Sequence, residues 1–455
     1  KYDTKDSLMP VINLKKNILL SGSFRIVITA LSFCMSWISA RFLGVELKGE
    51  YSYVITLGGF IWMVLDMGLS NSFPYLARKY PLRMAGLYSW TVFSTLAEIV
   101  ALLALGLGLR GFWSRVLGYE FSPLYLSLFV LYVSLTKAFW QIQNFFIGLD
   151  RILNHSLAAL ANTGISLLLL SLGFLLVSGN ARLTWLLGVT VLALLSGILY
   201  LALSYGKSPR LWDVDMSFVR TSYGFGFRAL ISVLLISLLI RADIVIVKKL
   251  LGFREVGIYS IAAHIVDFLQ LASNLVGGLL LAKLSDTRDD LGKWLVMKKT
   301  LILFAVFLTL GNLGFVLFGK MLLGVFYGAD FVPSYGVYIW LIPASFGLSF
   351  GSLFNNYLNS KGFPLVTIVI AALALALNIG LNYMLIPPLG VYGAALATSV
   401  SYLLWFFFII AYEQHQSGGQ LLRHLIPRRA DWKEVLEVVM DTFHLARAKT
   451  RRRAE

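Results

Sequence analysis

The chain has 455 residues, of which 58% are hydrophobic and 14% are charged, and its mean hydropathy is +0.77. Soluble domains carry about 25% charged residues, so this composition excludes an ordinary soluble protein. The net charge of +16 would suggest nucleic-acid binding in a soluble chain, but here the basic residues gather at the ends of apolar runs, where the positive-inside rule and anionic lipids account for them.

Apolar runs of about 20 residues follow one another along the chain, separated by short polar breaks. A helix of about 20 residues spans the hydrocarbon core of a bilayer. We therefore predict an all-α polytopic membrane protein with twelve transmembrane helices. The predicted spans are 18–42, 50–76, 86–109, 124–149, 153–177, 183–205, 222–250, 257–281, 300–319, 335–359, 363–386 and 390–412.

Lysine and arginine residues are more frequent in the connections on one side of these spans, for example at 78–83 and 283–299, and in the tail. The positive-inside rule therefore predicts that both termini are cytoplasmic. Residues 413–455 form a separate tail, in which an apolar helical face that includes Trp432 and Leu436 is followed by a basic end. This predicts an amphipathic helix that either lies on the cytoplasmic leaflet or packs under the helix bundle.

The sequence contains an internal repeat with an offset of 208 to 212 residues. Three pairs match in order: 43–52 with 251–260, which share L-G-x4-G-x-Y-S, 118–123 with 328–333, and 143–145 with 355–357. Each half has an even number of predicted spans, so both halves enter the membrane from the same side. This predicts a parallel repeat, with a first lobe at 1–205 and a second lobe at 206–412.

Charged residues in the first two spans lie on polar helical faces. Arg25 shares its face with five hydroxyl side chains, and Asp66 lies on a similar stripe. A charge in hydrocarbon costs at least about 2.5–3.5 kcal/mol, so such residues face the bundle interior or water. Close helix packing also explains the hydroxyl residues taken alone. We predict that Arg25 lies near the inner mouth of a hydrated cavity.

Glu98 and Lys137 lie near the centres of the third and fourth spans, too deep to reach the membrane surface easily. Two interpretations remain open. The two residues form an ion pair that holds the first half together, or they line a hydrated cavity. In a cavity, Lys137 would attract an anionic head group, and Glu98 would carry a coupling proton or cation.

The second half carries polar residues at corresponding positions. With the offset of 208, Thr56 corresponds to His264 and Asp66 to Asn274. Arg241 lies in the outer part of the seventh span and is the cavity candidate there. The polar face of the eighth span includes His264, Asp267, Gln270 and Asn274.

No motif for enzymatic chemistry fits the chain. "GLGLRG" at 106–111 matches G-x-G-x-x-G, but it lies at the end of a span and not in a βαβ unit. The five histidines show no metal-ligand spacing, and the single cysteine, Cys34, excludes an intrachain disulfide. We therefore expect no enzyme, no metal site and no cofactor. A membrane transferase and a non-transporting scaffold are the weaker alternatives.

The stretch "ARFLGVELKGEYSYVITLGGFIWMVLDMGLSNS" at 40–72 resembles the first-loop pattern of the Wzx-type flippases of polysaccharide biosynthesis, in the MOP transporter superfamily. "RADIVIVKKLLGFREVGIYSIA" at 241–262 is similar to the seventh-span segment of that family, with Asp243 at its usual acidic position. "NYMLIPPLGVYGAALATSVSY" at 382–402 resembles its N-x-x-L-I-P…G-x-x-G-A-A-x-A-T motif. The matching positions in the first stretch are Ala40, Arg41, Leu43, Gly44, Gly49, Tyr51, Asp66, Gly68 and Leu69.

The resemblance implies a MATE-like fold of two six-helix lobes around a central cationic cavity. It implies that the protein translocates a polyprenyl-pyrophosphate-linked oligosaccharide, such as an O-antigen unit, from the cytoplasmic to the outer leaflet of a bacterial or archaeal inner membrane. Transport would proceed by alternating access coupled to a proton or sodium ion. The implied partners are the lipid-linked glycan, membrane lipids and proteins of polysaccharide polymerisation and assembly, without nucleic acid.

Depth and helical face make Arg25, Lys137 and Arg241 our candidates for pyrophosphate binding. The other predicted residues of the glycan cavity are Gln141, Asn144, His264, Gln270 and Asn274, and the candidates for ion coupling are Glu98, Asp66 and Asp267. A multidrug or organic-cation antiporter of the same superfamily is the alternative. It would favour an acidic, aromatic-lined cavity, whereas the candidate bases here slightly outnumber the acids.

Overall fold

The computed structural model describes residues 14–117, 119, 122–179, 181–286, 289–361, 365–429 and 431–432. These residues form helices and contain no β-strand, which confirms the predicted all-α fold. The α-helices are α1 (Leu14–Asp66), α2 (Leu69–Lys79), α3 (Met84–Gly108), α4 (Arg110–Leu117), α5 (Pro123–Gly148), α6 (Ile152–Leu176), α7 (Ala181–Tyr205), α8 (Met216–Leu251), α9 (Phe253–Asp286), α10 (Asp290–Leu322), α11 (Ser334–Ser360), α12 (Leu365–Leu389), α13 (Val391–Gln416) and α14 (Leu421–Leu425).

Ten helical stretches among the described residues are long and apolar enough to cross a membrane. The first of them, Phe24–Lys79, covers most of the first predicted span and all of the second, on either side of the kink at Gly44. The predicted spans fall on helices, but some helices extend beyond them: α10 begins at Asp290, ten residues before the ninth predicted span, and α8 begins at Met216, six residues before the seventh. The second span differs from the prediction, since it is not continuous: α1 ends at Asp66 and α2 begins at Leu69.

Two residues between α1 and α2 explain this break. Met67 has a φ of 48° and Gly68 a φ of 78°, so both lie in the left-handed region, where an α-helix cannot continue. Glycine adopts this conformation without a steric penalty. Hydropathy alone does not reveal such a break, because the apolar run continues through it.

The chain divides into two compact units. The first contains the described residues up to Gly257 together with Phe326–Asp330, and the second contains Ile258–Val325 and the described residues from Phe331 onward. In the first unit, α8 packs against α1 and α2. The division therefore falls after α8, whereas the lobe boundary at 205/206 stays a prediction.

The repeat has the same local structure in both halves. Gly44 has a φ of 74° and a ψ of 176°, and Gly252, 208 residues later, has a φ of 101° and a ψ of −177°. This conformation is essentially restricted to glycine. The Tyr51 hydroxyl lies 3.0 Å from Thr190 Oγ1, and the equivalent Tyr259 hydroxyl lies 3.1 Å from Thr398 Oγ1. Backbone conformation and side-chain pairing thus follow the same offset.

Glycines of the repeated motif allow two helices to cross closely inside the first unit. A Cβ atom on Gly49 would collide with the carbonyl oxygen of Phe253 and lie 2.7 Å from the backbone nitrogen of Gly257. A Cβ atom on Gly257 would collide in turn with the carbonyl oxygen of Val45, the residue that corresponds to Phe253. The contact is reciprocal between equivalent positions, which explains why the motif keeps its second glycine in both copies.

Helix α5 is the central helix of the first unit. It packs against α1, α2, α3, α6 and α7, and every residue from 132 to 139 is buried. A smaller apolar cluster of Phe42, Leu43, Leu170 and Leu186 joins α1 to α6 and α7. In the second unit, α11 and α12 pack against α13, and Trp405 lies against Gly351, where a side chain would leave no room for the indole ring.

The start of α8 is capped by an acidic residue. The Asp215 carboxylate accepts hydrogen bonds from the backbone N–H groups of Ser217 and Phe218 at 3.0 and 3.2 Å, and Arg83 lies 3.5 Å away. The Ser217 hydroxyl also donates to it at 2.6 Å. These hydrogen bonds hold the pKa of Asp215 below its ordinary value, and the bond from the Ser217 hydroxyl has the largest effect.

The chain after α13 folds back onto the second unit. Helix α14 packs on α10 and α13, with Leu421 and Leu425 buried, and the His424 ring stacks on Trp294. Asp431 then binds Lys298 of α10 at 2.9 Å. The first part of the predicted tail is therefore packed against the protein, whereas most of the predicted amphipathic helix, from 433 onward, lies outside the described residues.

We expect Gly49→Ala to destabilise the protein. The added methyl group would overlap backbone atoms, which cannot move out of its way by changing a rotamer. The two helices must therefore separate, which lowers the free energy of unfolding by about 1–3 kcal/mol. The melting temperature of the purified protein in detergent measures this effect. Gly59→Ala, in the same helix but with no atom within 4 Å of the new methyl group, is the control and should not lower the melting temperature. Equal melting temperatures for the two variants would contradict the close crossing.

We expect Asp215→Ala to lower the melting temperature at neutral pH through loss of the α8 cap. The pKa of Asp215 is lower in the folded protein than its ordinary value of 3.8. The stabilisation that the ionised Asp215 gives to the fold is therefore complete above pH 3.8, and it is lost as the pH falls through the folded-state pKa. The difference between wild type and variant should therefore shrink below about pH 4. Asp213→Ala serves as the control, and a difference that stays constant over this range would argue against the cap.

Candidate functional site

The break between α1 and α2 positions a carboxylate inside the first unit. Asp66, the last residue of α1, is 3% exposed. It accepts hydrogen bonds from the Ser70 hydroxyl at 2.6 Å and from the Ser70 backbone N–H at 3.2 Å. The negative charge thus lies at the N-terminal end of α2, where the helix dipole and the first N–H groups favour an anion.

Helix α5 brings two polar side chains to this carboxylate. Gln141 is 1% exposed and donates to Asp66 Oδ1 at 2.9 Å. Lys137, one turn earlier and equally buried, forms an ion pair with Glu98 of α3, whose side chain is 13% exposed. Asp66 also interacts electrostatically with Lys137. Four of the predicted site residues therefore form one network of two carboxylates, one ammonium group and one amide.

Further buried polar atoms lie on the same two helices as Glu98 and Lys137. Thr91, Thr95 and Glu98 follow one another at helical spacing on one face of α3, and Ser134 precedes Lys137 by one turn on α5. Among the described residues, the threonine and serine hydroxyls, Glu98 Oε1 and Gln141 Oε1 have no hydrogen-bond partner. Buried polar atoms are normally hydrogen-bonded, so these atoms are candidate contacts for a polar ligand or ion.

Helix α8 contributes a tyrosine to the same region. The Tyr223 hydroxyl accepts a hydrogen bond from Trp90 Nε1 at 3.1 Å and interacts electrostatically with both Asp66 and Glu98. Tyr223 and the two threonines of α3 were not among the predicted site residues. The threonines share a helical face with Glu98, so a helical projection of the third span could have identified them.

The equivalent positions of the second unit do not repeat the charges: Asp66 corresponds to Asn274, and Gln141 to Leu353. Ser349, which corresponds to Lys137, donates to Gln270 Oε1 at 2.7 Å, and Gln270 Nε2 donates to Ser352 at 2.9 Å. His264 and Asp267 lie 3.5 Å apart at the surface of α9. The side chain of Asn274 lies outside the described part of the structure. Among the described residues, the network around Lys137 therefore has no counterpart at the equivalent positions of the second half.

The other predicted residues of the first unit are Arg25, Asn144 and Arg241. Arg25 is on an exposed part of α1 and interacts electrostatically with His155 of α6. Asn144 donates to the backbone carbonyl of Trp140 at 2.9 Å. Arg241 lies on α8, partly buried, two residues before the buried Asp243. Within the described residues, no group of three or more His, Cys, Asp or Glu side chains is arranged to hold a metal ion.

These observations define a polytopic helical membrane protein built from two related halves, with a buried charge network in the first compact unit. A sequence model of the polysaccharide biosynthesis protein family matches residues 14–282, which is more than half of the chain. The chain belongs to this family. Comparison with curated protein sequences gives no significant match.

The fold is that of the MOP superfamily. A structure of the lipid II flippase MurJ, in an inward closed conformation, has a TM-score of 0.68 at 15% identity over 93% of each chain. An inward-facing multidrug resistance MATE family transporter has a TM-score of 0.66 at 14% identity over 89% of this chain and 99% of its own. A MOP superfamily transporter from Pyrococcus furiosus has a TM-score of 0.65 at 12% identity over 90% and 96%.

These neighbours confirm the predicted MATE-like fold. At such low identity the likeness concerns the fold alone. The neighbouring proteins are transporters and flippases and not enzymes, in agreement with the prediction made from the absence of catalytic motifs.

We expect Lys137→Met to destabilise the protein by about 3–5 kcal/mol, because it leaves the Glu98 carboxylate buried without its partner. The double variant Lys137→Met/Glu98→Gln should recover most of this loss, since no uncompensated charge remains. Melting temperatures of the single and double variants in detergent measure the coupling. Lys79→Met, at an exposed lysine, is the control for loss of a positive charge. Additive effects of the two substitutions would show that the pair contributes nothing to stability.

Proposed function

We propose that this protein is a Wzx-type flippase that translocates a polyprenyl-pyrophosphate-linked oligosaccharide across a bacterial or archaeal cytoplasmic membrane. Membership of the polysaccharide biosynthesis family and the fold shared with MurJ and MATE transporters support this proposal. The observation that carries it is the buried pair of Lys137 and Glu98 beside Asp66, in a bundle where charges are costly.

Lys137 is the residue that we expect to bind the pyrophosphate. Its ammonium group is held by Glu98, and an incoming phosphate oxygen would compete with that carboxylate for the same donor. While Lys137 binds phosphate, Glu98 needs another cation, either a proton or Na⁺, to compensate its charge. Exchange of partners at Lys137 would thus couple the movement of the head group to an ion.

Asp66 has a different part in this scheme. It is held by three hydrogen-bond donors at the start of α2, so it is less free than Glu98 to change partners. Its negative charge would compensate and orient the Lys137 ammonium group when Glu98 is neutralised. Arg25 and Arg241 would contact the substrate at other stages of transport, together with Gln141, Asn144, His264, Gln270 and Asn274, and Asp267 is a second ion-coupling candidate.

The proposal includes the cellular arrangement. Both termini would lie in the cytoplasm, the predicted lobes 1–205 and 206–412 would alternate access between the leaflets, and the tail from 413 would lie at the cytoplasmic surface. The expected partners are the lipid-linked glycan, membrane lipids, and the proteins that polymerise and assemble the polysaccharide.

A multidrug or organic-cation antiporter is the second candidate function. It is favoured by the composition of the network, which contains two carboxylates and a single lysine. The aromatic pair Trp62 and Trp140 lies on the same two helices as Asp66 and Gln141, and an aromatic, acidic surface suits an organic cation.

The test is a flipping assay in proteoliposomes with a fluorescent polyprenyl-pyrophosphate oligosaccharide, scored by the accessibility of the label to an external quencher. Wild type should flip this lipid. The stable double variant Lys137→Met/Glu98→Gln should flip it at least about tenfold more slowly, as expected for loss of a charge-assisted contact of about 1.5–3 kcal/mol.

Glu98→Gln alone should flip with a reduced dependence on pH or Na⁺, because the exchangeable charge is gone. Lys79→Met should behave as wild type. No flipping by wild type, combined with proton-coupled efflux of an organic cation dye from the same vesicles, would replace the flippase proposal with the antiporter.

A further inference from the structure

Two indole rings stack on each other at the surface of the first unit. Trp62 of α1 and Trp140 of α5 are nearly parallel, with 6° between the ring planes and 6.0 Å between the ring centroids. Trp140 is 45% exposed, although residues 132–139 and 141–143 of the same helix are all buried. Helix α5 thus exposes one large aromatic side chain in the middle of an otherwise buried stretch.

The exposed ring borders the polar face of α5, whose residues Lys137 and Gln141 are themselves buried against Glu98 and Asp66. Five helices cover the other sides of α5, so little of it is left to face lipid. Lys137 and Asn144 flank Trp140 at helical spacing, and Gln141 is its direct neighbour. Polar and ionisable residues at membrane depth face the bundle interior or water. Trp140 and the partly exposed Asn144 thus form the accessible edge of this polar face.

The equivalent positions in the second unit show that stacking is not required to hold the helices together. Trp62 corresponds to Gln270 and Trp140 to Ser352, by the offsets of 208 and 212. This pair also meets, through a hydrogen bond of 2.9 Å between Gln270 Nε2 and Ser352 Oγ. The same contact is made by small polar groups in one half and by two large rings in the other, so helix packing alone does not explain the indoles.

We infer that Trp62 and Trp140 form a stacking surface for the sugar residue that is attached directly to the pyrophosphate. This rests on the proposed function, which supplies the ligand. An indole presents a large, rigid, apolar face with negative charge density. A hexopyranose presents slightly positive C–H groups on one face and hydroxyl groups at its rim, so it stacks on such a ring while its hydroxyls stay in contact with water or polar side chains.

The spacing along α5 selects the first sugar of the glycan. Lys137 and Trp140 are three residues apart, which is about 4.5 Å along a helix axis. This is comparable to the length of one sugar ring. A phosphate oxygen bound by Lys137 would therefore bring the adjacent sugar to the Trp140 ring, and the indoles would distinguish a glycosylated lipid from the bare carrier.

Two substrates in the proteoliposome assay test this inference: polyprenyl pyrophosphate carrying one sugar, and polyprenyl pyrophosphate without sugar. Trp140→Leu should flip the glycosylated lipid about tenfold more slowly than wild type, the effect of losing one aromatic contact. It should flip the sugar-free lipid at the wild-type rate. Trp140→Phe, which keeps an aromatic face, should recover most of the lost rate, and Trp212→Leu, at an exposed tryptophan outside the predicted spans, should match wild type.

A binding measurement separates this inference from the proposed function. Protein labelled with 5-fluorotryptophan gives a ¹⁹F resonance for Trp140 that is identified by its loss in Trp140→Phe. A short-chain prenyl pyrophosphate carrying one sugar should shift this resonance, and the sugar-free compound should not. A shift without flipping would refute the flippase and keep the stacking surface. An equal loss of both flipping rates in Trp140→Leu, no loss of either, or no sugar-dependent shift would overturn the stacking surface itself.

Discussion

An ammonium group inside a membrane helix bundle must have an anionic partner, because leaving it uncompensated costs several kcal/mol. Lys137 imposes this requirement on the first unit, and the surrounding structure meets it from two sides. Glu98 on α3 pairs with the lysine directly, and Asp66 at the break after α1 is joined to the same stretch of α5 through Gln141. Lys137 binds Glu98 of α3, and Gln141, one turn later, binds Asp66 of α1. Helix α5 therefore has to contact both α1 and α3, as it does in the structure.

The two halves of the repeat share a backbone plan and differ in chemistry. Gly44 and Gly252 adopt the same glycine conformation, and Gly49 and Gly257 make the same close approach. Both halves pack an aromatic ring against a glycine at one pair of equivalent positions, but the ring and the glycine change places. Phe139 of α5 lies against Gly197 of α7, whereas in the second unit Trp405 of α13 lies against Gly351 of α11. A large ring opposite a glycine fills the same space in either order. The geometry of the repeat therefore constrains volume, and it leaves the polar residues free to diverge.

The helices and the repeat could be predicted from the sequence, because apolar runs of span length and a fixed offset are local patterns. The break after Asp66 could not, since Met67 and Gly68 interrupt a run that stays apolar, and their positive φ angles carry no hydropathy signal. Asp66, Glu98, Lys137 and Gln141 were identified as individual candidates, but their association depends on how α1, α3 and α5 pack. The grouping of Arg25 with Lys137 rested on depth and helical face, and in the structure Arg25 interacts electrostatically with His155.

The difference between the halves also determines where a response to ions can arise. In the second unit, the equivalents of Lys137 and Trp62 are Ser349 and Gln270, which bind each other through neutral hydrogen bonds. The energy of a hydrogen bond between two neutral side chains does not depend on the pH or on the concentration of an anion. In the first unit, the balance between Lys137, Glu98 and Asp66 changes whenever one carboxyl group gains a proton or the ammonium group gains another anion. The ion coupling proposed above would therefore act in the first unit, through a change in this balance.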